Sequence, residues 1–161
     1  MSVAFRRESD EEHLEPKFEL PIPPGPNLVT RRGLGLLTEI TASLRNDIEA
    51  AGTDEERERL KRDLRYWDTR LTTAEIAPPP PEGEAGIGSR VTFTMKGQKR
   101  TVDIVGHDEA EPAIGRIAFS APLARALIGG SVGEWLDYNG ASEALEILEI
   151  GAAGDTLAPS L

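Results

Sequence analysis

The sequence predicts an α+β fold, an N-terminal antiparallel coiled-coil helical hairpin followed by an antiparallel sheet domain with one short helix. Three observations predict it. Before residue 77 apolar residues recur at spacings of three and four, the period of a helix face. After residue 88 they alternate, the period of a half-buried strand. Between these textures lies "APPPPEGEAG", Ala77 to Gly86, a stiff proline run that gives way to glycine and reads as a linker.

Composition sets the bounds. The chain has 161 residues, 39% hydrophobic and only 5% aromatic, which suits a modest aliphatic core plus an extended part. Its formal charge is −10, so it lacks a basic footprint, and any contact with nucleic acid is expected to be indirect, through a partner. Cysteine is absent, which removes disulfides, thiol catalysis and the usual ligands of structural zinc. No apolar run approaches the ~18 residues of a membrane span, and the N-terminus has no apolar signal core, so a cytoplasmic, membrane-free protein is expected.

Residues 1–28 mix acidic clusters with "PIPPGPN" and have no apolar period, so they read as a disordered leader. The hairpin is placed at residues 29–76. Thr30 suits the cap of a first helix carrying Leu37, Ile40, Leu44 and Ile48, although Gly33 and Gly35 weaken its first turn. Gly52 breaks that helix. Thr53 and Glu56 then form a capping box, and Asp54, Glu55 and Glu56 suit the positive end of a helix dipole. The second helix carries Leu60, Leu64, Trp67, Leu71 and Ala74, with Glu55–Arg59 and Glu58–Arg62 one turn apart. Arms of about 21 residues would each be about 30 Å long.

After the linker, residues 77–88, the sheet domain is placed at 89–150 and a loose tail at 151–161. "RVTFTM" and "KRTVDIVG" alternate around a "KGQ" turn, with Val102 and Ile104 on one face. "HDEAEPAIG" is a polar loop and "RIAFS" a short strand. "PLARALIGG" is a helix of about two turns, entered at Pro122 and capped by Gly129, with Leu123, Ala126 and Leu127 inward. "EWLDY", "NGAS" and "EALEILEI" complete the sheet. Glycines after the helix rather than before it exclude a phosphate-cradling loop.

"VDIVGHDEAEPAIGRIAFSAPLARALIGGSVGEWLDY", closed by "ALEILEI", resembles the C-terminal domain of the bacterial GreA/GreB transcription elongation factors. "NLVTRRGLGLL" and "RYWDTRLTTAEI" resemble the two ends of that family's coiled-coil finger. The resemblance implies an FKBP-like sheet domain without isomerase activity. It also implies a partner, bacterial RNA polymerase, with the sheet domain docked at the rim of the secondary channel and the finger inside. In the family, acidic residues at the fingertip help hold magnesium for cleavage of backtracked RNA. Here that role would fall to Asp54, Glu55 and Glu56, sharing Mg2+ with the polymerase. No intrinsic cofactor, metal or catalytic residue is expected, and the chain is read as a monomer.

The sequence departs from the family pattern at the tip, where "AAGTDEERER" ends arms shorter by about a dozen residues, roughly 18 Å of reach. First-turn acids on a helix dipole account fully for the same three carboxylates. Modulation or inhibition of the polymerase therefore stands beside cleavage. So do competition with Gre factors and a role like that of the regulators of nucleoside diphosphate kinase. The resemblance further implies a docking face, with Asp108, Glu109, Ser120, Ala121, Pro122 and Arg125 as candidates. Loop capping is the plainer role for the polar ones among them. His13, His107, Trp67 and Trp135 read as surface or packing residues. The low aromatic content argues against a prolyl isomerase pocket.

Overall fold

The computed structural model describes residues 19–153. His13, most of the leader and the last eight residues of the tail lie outside the described residues. A two-residue strand, β1 (Leu28–Val29), leads into α1 (Arg31–Ala50), and a turn at Ala51–Thr53 leads into α2 (Asp54–Thr73). The hairpin closes at β2 (Glu75–Ile76), which pairs in parallel with β1. Both helices have 20 residues and both start on a threonine whose side chain accepts a backbone N–H, Thr30 from Gly33 and Thr53 from Glu56. These caps satisfy donors that the first helical turn leaves orphaned.

Glu56 accepts from Gly52 N at 3.4 Å rather than from Thr53, so the expected box closes one residue early. On α2, Asp54 pairs with Arg57 at 2.7 Å and Glu58 with Lys61 at 3.8 Å, each at spacing three. Arg45 of α1 reaches Asp68 of α2 at 3.1 Å and ties the arms together.

The second unit is a five-stranded sheet in the order β5-β4-β3-β7-β6, built from β3 (Ser89–Met95), β4 (Gln98–Val105), β5 (Arg116–Ala118), β6 (Trp135–Tyr138) and β7 (Ala141–Ala152). Lys96–Gly97 and Asn139–Gly140 make its two tight hairpin turns, with positive φ at all four residues. The fold class is α+β as expected, but the sheet is mixed. β5 runs parallel to β4, with Ile104 opposite Ile117. Residues 106–115, two 3-10 turns and Gly115 at φ 86°, carry the chain back so that it re-enters beside β4 in the same direction.

The core of this unit is Val91, Phe93, Val102, Ile104, Leu145 and Ile147, sealed by α3 (Pro122–Leu127). Ala124 and Leu127 are the fully buried residues of that helix; Leu123 and Ala126 pack at its margin. Two glycines follow for different reasons. Gly129, at φ 91°, takes the left-handed conformation that ends the helix. At Gly130 a Cβ would sit 2.6 Å from Ile147 Cδ1, so only glycine lets the chain pass over the core.

Three boundaries move. The linker ends early, because Ala85 is in the core and exchanges backbone hydrogen bonds with Gly129 and Gly130. β7 runs on to Ala152 and Ala153 is buried, so the tail begins later than residue 151. The leader's last residues are seated on α2. Asn27 is buried and donates to Arg70 O at 2.7 Å, and Glu19 bridges Arg65.

Candidate functional site

The sequence-predicted residues fall into three places. The first is the junction of hairpin and sheet. Asp108 and Glu109 lie on the 3-10 turn His107–Glu109, directly after β4, and both turn inward. Asp108 Oδ2 accepts from Arg70 Nε at 2.7 Å while Oδ1 accepts from the Tyr66 hydroxyl at 2.9 Å. The Arg70 and Asp108 side chains are only 2% and 9% exposed. Glu109 Oε1 accepts from Thr30 Oγ1 at 2.5 Å, and its Oε2 accepts from Thr30 N at 3.0 Å and Gly106 N at 3.2 Å. Arg32 adds an ion pair at 3.5 Å.

One carboxylate thus holds the end of α2 and its neighbour holds the cap of α1. A charge-assisted bond in so dry a place is strong, and losing either partner strands the other. The close fit explains Gly33 inside α1, where a Cβ would fall on the Glu109 carboxylate. Burial, then the hydrogen bond to Asp108, pushes the Tyr66 hydroxyl up to about 12. Asp108 and Glu109, named as candidates for partner contact, are thus turned toward the hairpin. They are occupied within the chain.

Sequence reasoning missed Tyr66 and Arg70. Both lie off the apolar stripe of α2, and their i,i+4 spacing was the available signal that one face carries polar residues inward.

The second place is the exposed turn at the start of α3. Ser120 and Pro122 are exposed, Ala121 is half-buried, and Arg125 projects to solvent one turn on. Ser120 Oγ lies 3.3 Å from His107 Nε2, and the His107 ring meets Phe119 edge-on at 5.0 Å. This ties the turn to the junction through a single residue.

The third place is the tip. Asp54, almost fully exposed, is paired with Arg57, Glu56 turns back to Gly52, and Glu55 is exposed. Carboxylate oxygens suit magnesium, but two of the three are already engaged. Among the described residues no group of three or more His, Asp or Glu could hold a metal ion. The tip does not fit a magnesium site of its own.

A short helical hairpin locked by buried ion pairs onto a mixed-sheet unit defines a two-part α+β protein with one exposed, proline-led turn. Residues 80–152 match the family model described as "Transcription elongation factor, GreA/GreB, C-term", so the sheet unit is similar to the C-terminal unit of that family. It is 36% identical over 74 residues to the transcription elongation factor GreA of Thermomicrobium roseum, covering 44% of this chain and 47% of that protein. It is 47% identical over 68 residues to GreA of Rhizobium meliloti, covering 40% and 43%. The match therefore spans less than half the length of these curated relatives.

Among solved structures, the GreA factor homolog 1 (Gfh1) of Thermus thermophilus aligns with a TM-score of 0.36 at 20% identity, over 80% of this chain and 100% of that one. The GreA/GreB factor of Nitrosomonas europaea aligns with a TM-score of 0.38 at 18% identity, over 78% and 98%. No helix among the described residues is long and apolar enough to cross a membrane.

Proposed function

We propose that the chain is a non-enzymatic regulator of transcription elongation. It binds bacterial RNA polymerase through its C-terminal unit and presents the hairpin at the secondary channel. The observation that carries this reading is the family match over residues 80–152, which contains the exposed turn Ser120 to Arg125. In this reading Ser120, Ala121, Pro122 and Arg125 touch the polymerase. Asp108 and Glu109 are positioning residues, which set the angle at which the hairpin leaves the sheet unit.

The tip's own geometry favours occupancy of the channel over cleavage. Asp54 would have to leave Arg57, and Glu56 its backbone donor, before either could share a magnesium ion with the polymerase. The chain is then a competitor of Gre factors that stimulates RNA cleavage weakly or not at all.

The test is competition with a GreA-type factor for purified core polymerase, followed by cleavage of backtracked RNA with and without added Mg2+. Saturable, competed binding with little cleavage is the expected result. Absence of binding at micromolar concentration overturns the docking, and cleavage equal to a GreA-type factor overturns the reading of the tip.

A further inference from the structure

A groove of about 680 Å³ opens at the end of the sheet farthest from the hairpin. Met95, Trp135, Tyr138, Ala141 and Ala144 line it, and Trp135 is 51% exposed. The core does not need this tryptophan, which leaves a large apolar side chain facing water. The three non-glycine residues with left-handed φ among the described residues, Lys96, Asn139 and Glu143, all lie on the groove's wall. Two of them, Lys96 and Asn139, belong to the tight hairpin turns that build the wall.

The lip is cationic. Lys96, Lys99 and Arg100 stand on the β3–β4 hairpin, all exposed and without a carboxylate partner among the described residues, in a chain of charge −10. Around Trp135 itself the sign reverses. Glu134 and Asp137 lie one and two residues from it in sequence, Glu146 is its cross-strand partner, and Glu143 lines the groove. A phosphate chain stacking on Trp135 would meet four carboxylates, whereas a peptide could set an apolar anchor in the groove and keep its own carboxylates on the lysine lip.

The chain carries such a peptide in "ESDEEHLEPKF", Glu8 to Phe18, with carboxylates at 8, 10, 11, 12 and 15 and anchors at Leu14 and Phe18. Its apolar anchors, Leu14 and Phe18, cannot reach the chain's own groove. Glu19 is held on α2 by two hydrogen bonds to Arg65, at 2.8 and 2.7 Å. Leu14, five residues earlier, lies at most about 18 Å from that anchor. The seven steps along β4, from Gln98 beside the groove to Val105 at the hairpin end, alone span about 23 Å.

We propose that this groove receives the acidic leader, residues 8–18, of a second copy of the chain. Reciprocal exchange gives a closed dimer, because both protomers offer the same leader and the same groove. The proposal does not depend on the polymerase reading.

The test joins two measurements on the full chain. Sedimentation equilibrium should show mass rising above 17.4 kDa with concentration. Association should weaken at least fivefold when Glu8, Asp10, Glu11, Glu12 and Glu15 are made Gln or Asn, or in Trp135→Ala. A fluorescein-labelled peptide of residues 8–18 should bind the chain, and bind at least fivefold more weakly to Lys96→Glu/Lys99→Glu. That variant should regain affinity for a peptide in which the acids are lysines, a result misfolding cannot produce. A chain that stays monomeric up to millimolar concentration overturns the proposal. So does association unchanged by neutralising the leader, or an oligo(U) probe that binds through Trp135 where the peptide does not.

Discussion

Two acidic clusters in this chain look alike in sequence and differ in every physical respect. "TDEE" at the tip and "HDEAE" at the junction each place carboxylates at the start of a helical turn. At the tip the carboxylates are solvated, and Asp54 meets a cation only three residues away. At the junction Asp108 reaches Arg70 and Tyr66, and Glu109 reaches Thr30, all from the other unit. A solvated pair is worth little, whereas a buried pair that loses one member leaves an uncompensated charge. The same residue types therefore fix a domain angle in one place and leave the other available to a partner.

Four variants sharpen that contrast, from the largest effect to the smallest. Asp108→Ala strands Arg70 and should destabilise the junction by about 3–5 kcal/mol, read as early loss of hairpin protection in hydrogen exchange. A sheet unit and hairpin that keep equal protection would break the comparison. Gly33→Ala forces the Glu109 carboxylate aside and should cost about 1–3 kcal/mol in urea unfolding, although alanine favours the helix itself.

Tyr66→Phe should cost about 1 kcal/mol at neutral pH. Tyr66 has its folded value raised to about 12, above an unfolded value of about 10. Its contribution is therefore complete below pH ~10 and is lost as pH rises through about 12. Denaturant midpoints against pH should show that alkaline loss in the native chain and less of it in the phenylalanine variant. Asp54→Asn with Glu55→Gln should move stability by no more than about 0.5 kcal/mol, since both side chains lie on the exposed tip.

Much of the fold was legible because local pattern and tertiary packing agree. The stripes of α1 and α2, both threonine caps, the Lys96–Gly97 and Asn139–Gly140 turns, and the proline entry to α3 are all local signals. What was hidden depends on distant partners. Nothing near Arg70 says that it is buried, because its counter-charge is 38 residues away. Ala85 sits in a run that reads as linker, and its place in the core is set by Gly129 and Gly130. The parallel β4–β5 pair arises from how residues 106–115 fold back, which strand alternation does not encode. The candidate site was legible as residue types and not as orientation. Ser120, Pro122 and Arg125 face outward, while Asp108 and Glu109 face the hairpin.

The measurement that bears most directly on this division of labour is competition binding to core RNA polymerase by three proteins side by side: the native chain, Pro122→Ala/Arg125→Glu, and Asp54→Asn/Glu55→Gln. The account predicts at least a tenfold loss of affinity, about 1.4 kcal/mol, for the α3 variant and native affinity for the tip variant. Native affinity in the α3 variant, or a loss confined to the tip variant, would contradict it.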